Sequence, residues 1–512
     1  MKPIRLIQGF LTVGVWTLMS RVLGFVRDAT IVALLGTGPL YEAYVVAFRL
    51  PNMFRRFFAE GAFNTAFVPM FSKKVEAADG AHEFAQDAFS GLATILIALT
   101  LLAQLFMPWL VYAIASGFAG QEKFDIAVDF ARIAFPYILF ISLAALLSGV
   151  LNATGRFAAA AAAPVLLNIL FISAVAIAVF TGGNVAQWLI WAIPVAGVAQ
   201  LALVWVAASR AGFRLTFRWP RMTQDLKRLA MIATPAALAG GVVQINLVVG
   251  QQVASYYDRA VSWLYNADRL YQLPLGVVGI AIGIVLLPDL SRRLRANDGE
   301  GGRAALTRAG ELALAITIPA SIALMVIPTP LVSVLFERGL VTATDTQATA
   351  LAVAIYGLGL PAFVMQKVLQ PLYFARENTK TPFYFALGAM IVNAALAIGL
   401  APVIGWIASA IAATVAGWVM SAQLLWGVRK MGDDARFAPG FFRRIARITL
   451  ASIMMGGVLW VTAIVLGALL YTEGVRYFAL LVLVATGIGS YALFGQWTKA
   501  FRLSEFRTAL RR

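Results

Sequence analysis

Three observations predict an all-α polytopic membrane protein of about fourteen transmembrane helices: the residue balance, the lengths of the apolar runs and the placement of basic residues. Of 512 residues, 61% are hydrophobic and 13% are charged, against about half and about a quarter in ordinary globular domains. Mean hydropathy is +0.82. No fold could hide that much apolar surface from water with so little charge to cover it, so lipid is the solvent and a soluble enzyme is excluded. Cysteine is absent, which removes disulfides, thiolate metal sites and cysteine nucleophiles. His82 is the only histidine, which removes histidine-rich metal centres and most serine–histidine chemistry.

A span needs ~20 residues. Fourteen segments satisfy this, at about 7–35, 41–72, 88–114, 129–151, 159–180, 185–208, 229–254, 260–291, 309–330, 347–375, 382–400, 405–428, 446–470 and 477–498. The first follows Lys2 and Arg5 in the manner of a secretory signal, but its apolar pattern runs on past Arg21 and Arg27 and no A-x-A-like site closes it. It is therefore expected to be an uncleaved first span. With the N-terminus inside, the segments between spans carry 29 Lys and Arg on the inner side and four on the outer side, Lys123, Arg259, Arg338 and Arg476. This asymmetry puts both termini in the cytoplasm and assigns most of the net charge of +17 to orientation in the membrane, not to nucleic acid.

The chain also repeats weakly. Pro69 to Lys74 matches Pro288 to Arg293, Arg49-Leu50 matches Arg269-Leu270, and Pro108 and Gly117 match Pro330 and Gly339, all at offsets near 220 residues. The expected organisation is an N-lobe of six spans over 1–220, a C-lobe of six over 221–440, and two extra spans with a basic tail over 441–512. Six spans is an even number, so the lobes share one orientation. Parallel repeats of this kind are a transporter arrangement, with a central cationic cavity expected between them.

The informative residues are charges placed where the solvent is lipid: Arg21, Arg27, Asp28, Glu42, Arg49, Arg55, Arg56, Glu60, Asp268, Arg269 and Lys367. Each costs about 2.5–3.5 kcal/mol at the bilayer centre on insertion scales, so each must face protein or a hydrated cavity. Arg21 and Asp28 lie two turns apart on one face, with Gly24 between them. Arg49, Met53, Arg56 and Glu60 form another helical stripe, which Pro51 should bend. Tyr265, Asp268 and Gln272 share a face in the eighth span, with Arg269 beside it. Structural ion pairs, Arg27 with Asp28 or Arg56 with Glu60, could explain single members. They do not explain six arginines against four carboxylates, with Lys367 adding to the excess. A buried cationic surplus implies an anionic ligand, and the planar arginine fork suits phosphate oxygens.

Other signals are weak. Gly357, Gly359 and Ala362 fit a dinucleotide pattern but lie inside an apolar span with no preceding strand. There is no Walker A sequence, and His82-Glu83 lacks the second histidine of a zinc motif. The basic linker from Arg210 to Arg228, with Phe213, Phe217 and Trp219, is expected to lie on the anionic inner leaflet.

Several motifs together resemble the MurJ (MviN) family of lipid II flippases, within the multidrug/oligosaccharidyl-lipid/polysaccharide exporter superfamily. They are Ser20-Arg21-Val22-Leu23-Gly24-Phe25-Val26-Arg27-Asp28, then Phe48-Arg49-Leu50-Pro51-Asn52, and Arg55-Arg56-Phe57-Phe58-Ala59-Glu60-Gly61. Ala267-Asp268-Arg269-Leu270 and Leu286-Leu287-Pro288 complete the set. The resemblance implies export of undecaprenyl-pyrophosphate-linked disaccharide-pentapeptide from the inner to the outer leaflet by alternating access. It also gives Arg21, Arg27, Asp28, Arg55 and Arg269 the positions of cavity residues, with Arg27, Asp28 and Arg269 on the pyrophosphate. Glu42 stands where enterobacterial members of the family have Asp, and Gln272 where they have Glu. Some members place a sodium site in the seventh and eleventh spans, but this sequence has no Asp or Glu in 229–254 or 382–400. The two extra spans are expected to hold the lipid tail.

The chain is thus expected to be a transporter and not an enzyme, working without cofactor or metal in the bacterial inner membrane. Its substrate-binding residues would be Arg21, Arg27, Asp28, Arg49, Arg55, Arg56, Glu60, Asp268 and Arg269, with Glu42, Gln272 and Lys367 as further candidates. Lipid II and membrane lipids are its expected partners. Nucleic acid is not, and the chain is expected to be a monomer that contacts cell-wall synthesis proteins. Two rival readings are a flippase for another polyprenyl-linked oligosaccharide and a cation-coupled multidrug exporter. The second calls for a carboxylate-rich cavity, the opposite sign from that seen here.

Overall fold

Apolar runs punctuated by glycine, proline and short polar turns fold as helices, because in lipid a spanning backbone must satisfy its own N–H and C=O groups. The computed structural model describes residues 3–55, 62–296, 298–376, 378–432 and 435–501, and every long element among them is a helix. In order these are α1 (Pro3–Leu35), α2 (Pro39–Arg55), α3 (Ala62–Ala77), α4 (Ala81–Leu105), α5 (Met107–Ala115), α6 (Glu122–Ala134), α7 (Tyr137–Ala153), α8 (Ala158–Thr181) and α9 (Val185–Arg210). They continue with α10 (Gln224–Ala254), α11 (Ala260–Arg295), α12 (Gly299–Val326), α13 (Pro328–Phe336), α14 (Ala343–Phe374), α15 (Lys380–Ile404), α16 (Ala408–Val428), α17 (Phe441–Leu466) and α18 (Arg476–Trp497).

Nine helical runs among the described residues are long and apolar enough to cross a bilayer. One of them, Lys380–Val428, has 49 residues and would reach about 70 Å if straight, so it supplies two spans. A one-turn break at Gly405–Ile407, where Gly405 has φ 69°, divides it into α15 and α16. α1, at 33 residues, and α11, at 36, also exceed a bilayer's length; α1 carries Arg21, Arg27 and Asp28, and α11 carries Asp268 and Arg269. Large side chains face outward along the bundle, among them Phe180 at 91% and Trp497 at 73% exposure, which only a lipid solvent tolerates. The internal repeat shows in the element ranges: α5 and α13 are nine-residue helices starting 221 residues apart, and α1 and α10 start at the same offset.

The chain divides into two compact units, Met1–Ser262 and Trp263–Arg512. In the first, α1 packs along α8, α8 on α9, α9 on α7 and α2 on α6, while α10 returns to pack on α3, α4 and α5. Tyr41, Tyr44 and Phe48 stack down α2, and Phe48 meets Phe171 of α8. Gly117 is required by a close approach: a Cβ there would collide with the backbone of Ser255 and Tyr256. At the other end of α10, Asp225 pairs with Lys74 of α3 at 2.9 Å and, through that hydrogen bond, holds the ammonium above its ordinary pKa.

In the second unit α12, α14 and α16 pack as a triplet, α15 pairs with α16, and α17 and α18 pair with each other and reach α12. Small hydroxyls join the helices: Ser321 Oγ donates to the Gly357 carbonyl at 2.6 Å and Ser421 Oγ to the Ala362 carbonyl at 2.7 Å. A Cβ on Gly359 would meet Phe363 and Thr414. The Gly357-x-Gly359-x-x-Ala362 pattern is therefore a helix-packing surface of small residues, not a phosphate loop.

Candidate functional site

The first unit carries Arg21, Arg27 and Asp28 on α1 and Glu42, Arg49 and Arg55 on α2. Arg27 and Asp28 are each 6% exposed. The guanidinium forks onto Asp28 Oδ1 through Nε at 2.9 Å and Nη2 at 2.7 Å, donates from Nη1 to Asn168 Oδ1 at 3.0 Å, and lies over the Phe171 ring. The ion pair between chain neighbours is thus formed, and a third residue, on α8, fixes its direction. Asn168 also donates to the Ser20 carbonyl at 2.8 Å, and Gly24 of α1 lies beside its amide, where an added Cβ would make only an ordinary contact. Nearly two turns before Arg27 on the same helix, the Nε of half-buried Arg21 is buried without a hydrogen-bond partner.

α2 presents its charges at both ends. Near the first turn Glu42, fully buried, accepts from Lys123 Nζ of α6 at 2.8 Å and from the Val261 N–H at 3.3 Å, and Lys123 lies over the Phe118 ring. Toward the other end Arg49 donates to Gln251 of α10. Pro51 sits inside α2, with no N–H for the Ala47 carbonyl, and the next residue, Asn52, turns its side chain back to the Phe48 carbonyl at 2.8 Å. Arg55 ends the helix, half-buried. Arg56 and Glu60 lie outside the described residues.

In the second unit Asp268, Arg269 and Gln272 follow one another on α11. Arg269 donates to the Tyr265 hydroxyl and lies over that ring at 4.5 Å, while Gln272 donates to Asp268. The i, i+4 face read from the sequence is therefore hydrogen-bonded, with Tyr265 serving the arginine and not the carboxylate. Lys367 lies on α14 with an exposed side chain. Among the described residues no group of three His, Asp or Glu could hold a metal ion.

Asn168, Gln251, Lys123 and Tyr265 all serve the candidate charges as partners, yet charge alone does not single them out. For Asn168 the available signal was an isolated amide in an otherwise apolar span, and for Gln251 a run of amides, Gln244, Asn246, Gln251 and Gln252, toward the end of one. Lys123 gave none, because its position between the third and fourth expected spans reads as a solvated loop. Chemically, α1 and α2 carry Arg21, Arg27, Arg49 and Arg55 with Asp28 and Glu42; of these Arg27 is paired with Asp28, Arg49 donates to Gln251 and Lys123 engages Glu42. Such an arrangement can hold a multiply charged anion and offers no nucleophile or acid–base pair for catalysis.

Comparison with known proteins gives the same direction. The family model described as lipid II flippase MurJ matches residues 31–484. A probable lipid II flippase MurJ of Rhizobium tropici is 44% identical over 496 residues, covering 94% of this chain and 93% of the relative. A solved lipid II flippase MurJ in an inward closed conformation superposes with TM-score 0.78 at 26% identity, covering 98% of this chain and all of that one. An inward-facing multidrug transporter of the MATE family superposes with TM-score 0.70 at 16% identity over 80% of this chain and 94% of its own, a likeness of fold alone. The fold is thus common to lipid flippases and drug exporters, and the match along the sequence decides between them: this chain belongs to the MurJ family of lipid II flippases.

Proposed function

We propose that this protein carries lipid II, an undecaprenyl-pyrophosphate-linked disaccharide-pentapeptide, from the inner to the outer leaflet of the bacterial inner membrane. It is a transporter. The observation that carries the reading is family membership along 31–484 joined to arginines at membrane depth, one of which, Arg21, keeps a buried Nε unpartnered. The physical problem is to move a pyrophosphate and a sugar-peptide head through a layer that rejects charge, while the polyprenyl tail stays in lipid. Arg21, Arg27 and Arg55 on α1 and α2 are the proposed guanidinium donors for the pyrophosphate, Arg269 on α11 is a further proposed donor, and Arg49, Arg56, Glu60, Asp268, Gln272 and Lys367 are candidates for the polar path. Asp28 directs Arg27 and Glu42 anchors α2.

Alternating access by the two repeat lobes then exposes the head group to each side, with both termini cytoplasmic. An inside-negative potential assists outward anion movement by about 2.3 kcal/mol per charge per 100 mV, so no ATP is required. Multidrug export is disfavoured by sign, since cationic drugs need carboxylates.

The test is outer-leaflet appearance of lipid II in cells depleted of their native flippase and supplied with this chain, wild type beside Arg27→Ala. Transport by wild type alone, at equal membrane levels, is expected. Transport by neither would assign a different polyprenyl-linked glycan, and equal transport by both would remove Arg27 from the site.

A further inference from the structure

A groove of about 550 Å3 opens on the surface of the first unit between α4, α7 and α9, and it is independent of the flippase reading. Its walls are apolar: Phe89, Ala93 and Ile97 repeat every four residues along α4, facing Leu143 of α7 and Leu201 and Trp205 of α9. The α4 row alone is about 12 Å long. One end of the groove is closed by the chain after α9, where Leu215, Thr216 and Phe217 complete the lining.

That closing segment is held in place. The Gln86 side chain of α4 accepts from the Thr216 N–H at 3.0 Å and donates to the Thr216 carbonyl, so it replaces both partners of an absent strand. Ser90 Oγ accepts from the Arg218 N–H at 3.2 Å, and Trp205 Nε1 donates to the Leu215 carbonyl at 2.8 Å. Gln86 and Ser90 are themselves buried, at 3% and 2% exposure. The fixed backbone sets out Arg210, Arg214, Arg218 and Arg221, all exposed, and residues 210–222 contain no acid to neutralise them. Phe217, Trp219 and Met222 are exposed beside them, at 55%, 87% and 68%, a pairing of aromatic and cationic side chains suited to the lipid headgroup layer.

An apolar channel that ends on a rigid cationic rim fits an amphiphile with one hydrocarbon chain in the channel and an anionic phosphate on the rim. We propose that the groove between α4, α7 and α9 binds an anionic glycerophospholipid of the surrounding leaflet, with an acyl chain along Phe89–Ile97 and its phosphate on Arg214 and Arg218. Residues 210–222 carry no carboxylate of their own to receive the choline or ethanolamine of a zwitterionic head, which favours a lipid of net negative charge.

The test uses the full chain in phosphatidylcholine vesicles that contain trace phosphatidylglycerol with a photoactivatable diazirine in one acyl chain. Adducts are expected to concentrate on residues 89–97, 139–143 and 198–205. Replacing the rim with Arg214→Gln and Arg218→Gln should lower them about thirtyfold, the scale of losing two surface cations from an anionic contact. Ala93→Trp, which fills the channel, should lower them as much with the rim intact. Equal labelling of these segments by a phosphatidylcholine analogue would overturn the proposal. Competition by a polyprenyl pyrophosphate but not by unlabelled phosphatidylglycerol would also overturn it, and would give the groove to the tail of the transported lipid.

Discussion

Asn168 Oδ1 accepts a hydrogen bond from Arg27 Nη1 at 3.0 Å, and the same amide donates to the Ser20 carbonyl at 2.8 Å, so one residue of α8 both holds α1 and aims its arginine. Asn168→Ala removes both bonds. A hydrogen bond to a charged group contributes about 1.5–3 kcal/mol, so lipid II transport is expected to fall roughly tenfold or more. Asn168→Asp, which keeps the acceptor for Arg27 but loses the donor to Ser20, should retain more transport than Asn168→Ala at matched membrane levels. Equal rates for the two would show that Asn168 only packs the helices.

At Arg27 the chemistry should be specific to guanidinium. Lysine is a point charge and cannot fork onto Asp28 while reaching Asn168. Arg27→Lys is therefore expected to keep the fold but lose most transport, as is Arg269→Lys. Outer-leaflet lipid II measured beside the thermal unfolding midpoint separates transport from folding, and full activity in either variant would contradict the phosphate role.

The pair of Lys123 with Glu42 is expected to behave as a buried ion pair. Its side chains are 4% and 0% exposed, so Lys123→Met alone strands a carboxylate, at a cost of about 3–5 kcal/mol. Lys123→Met combined with Glu42→Leu should recover most of that loss. Thermal unfolding of the purified chain reads the cycle, and a single variant as stable as wild type would show that the pair is not structural.

Gly117→Ala places a methyl group against the backbone of Ser255 and Tyr256, neither of which can rotate away. Overpacking of this kind costs typically 1–3 kcal/mol, and a lower unfolding midpoint is expected. Gly302→Ala, on α12 with nothing within 4 Å of the new Cβ, serves as the control and should be neutral or slightly stabilising.

In liposomes, purified protein should flip lipid II without ATP, and an inside-negative potential of 100 mV should raise the outward rate. A rate indifferent to the imposed potential would remove charge movement from the transport step.

The amino-acid sequence by itself determined the solvent, the helical class and the family. Hydropathy, length and motif are local properties that add along the chain, so they survive without knowledge of any contact. Helical spacing likewise showed that Asp268 and Gln272 share a face, because residues four apart meet on any α-helix. What lies across from a face is not local. Only the tertiary structure put Asn168 on Arg27 over 141 residues of chain, Gln251 on Arg49 over 202 and Lys123 on Glu42 over 81, and it packed α10 against α3, α4 and α5. The reason is that lipid fixes how deep a residue sits but not which helix lies beside it. That choice falls to close packing, small residues such as Gly117, and the need of every buried polar group for a partner.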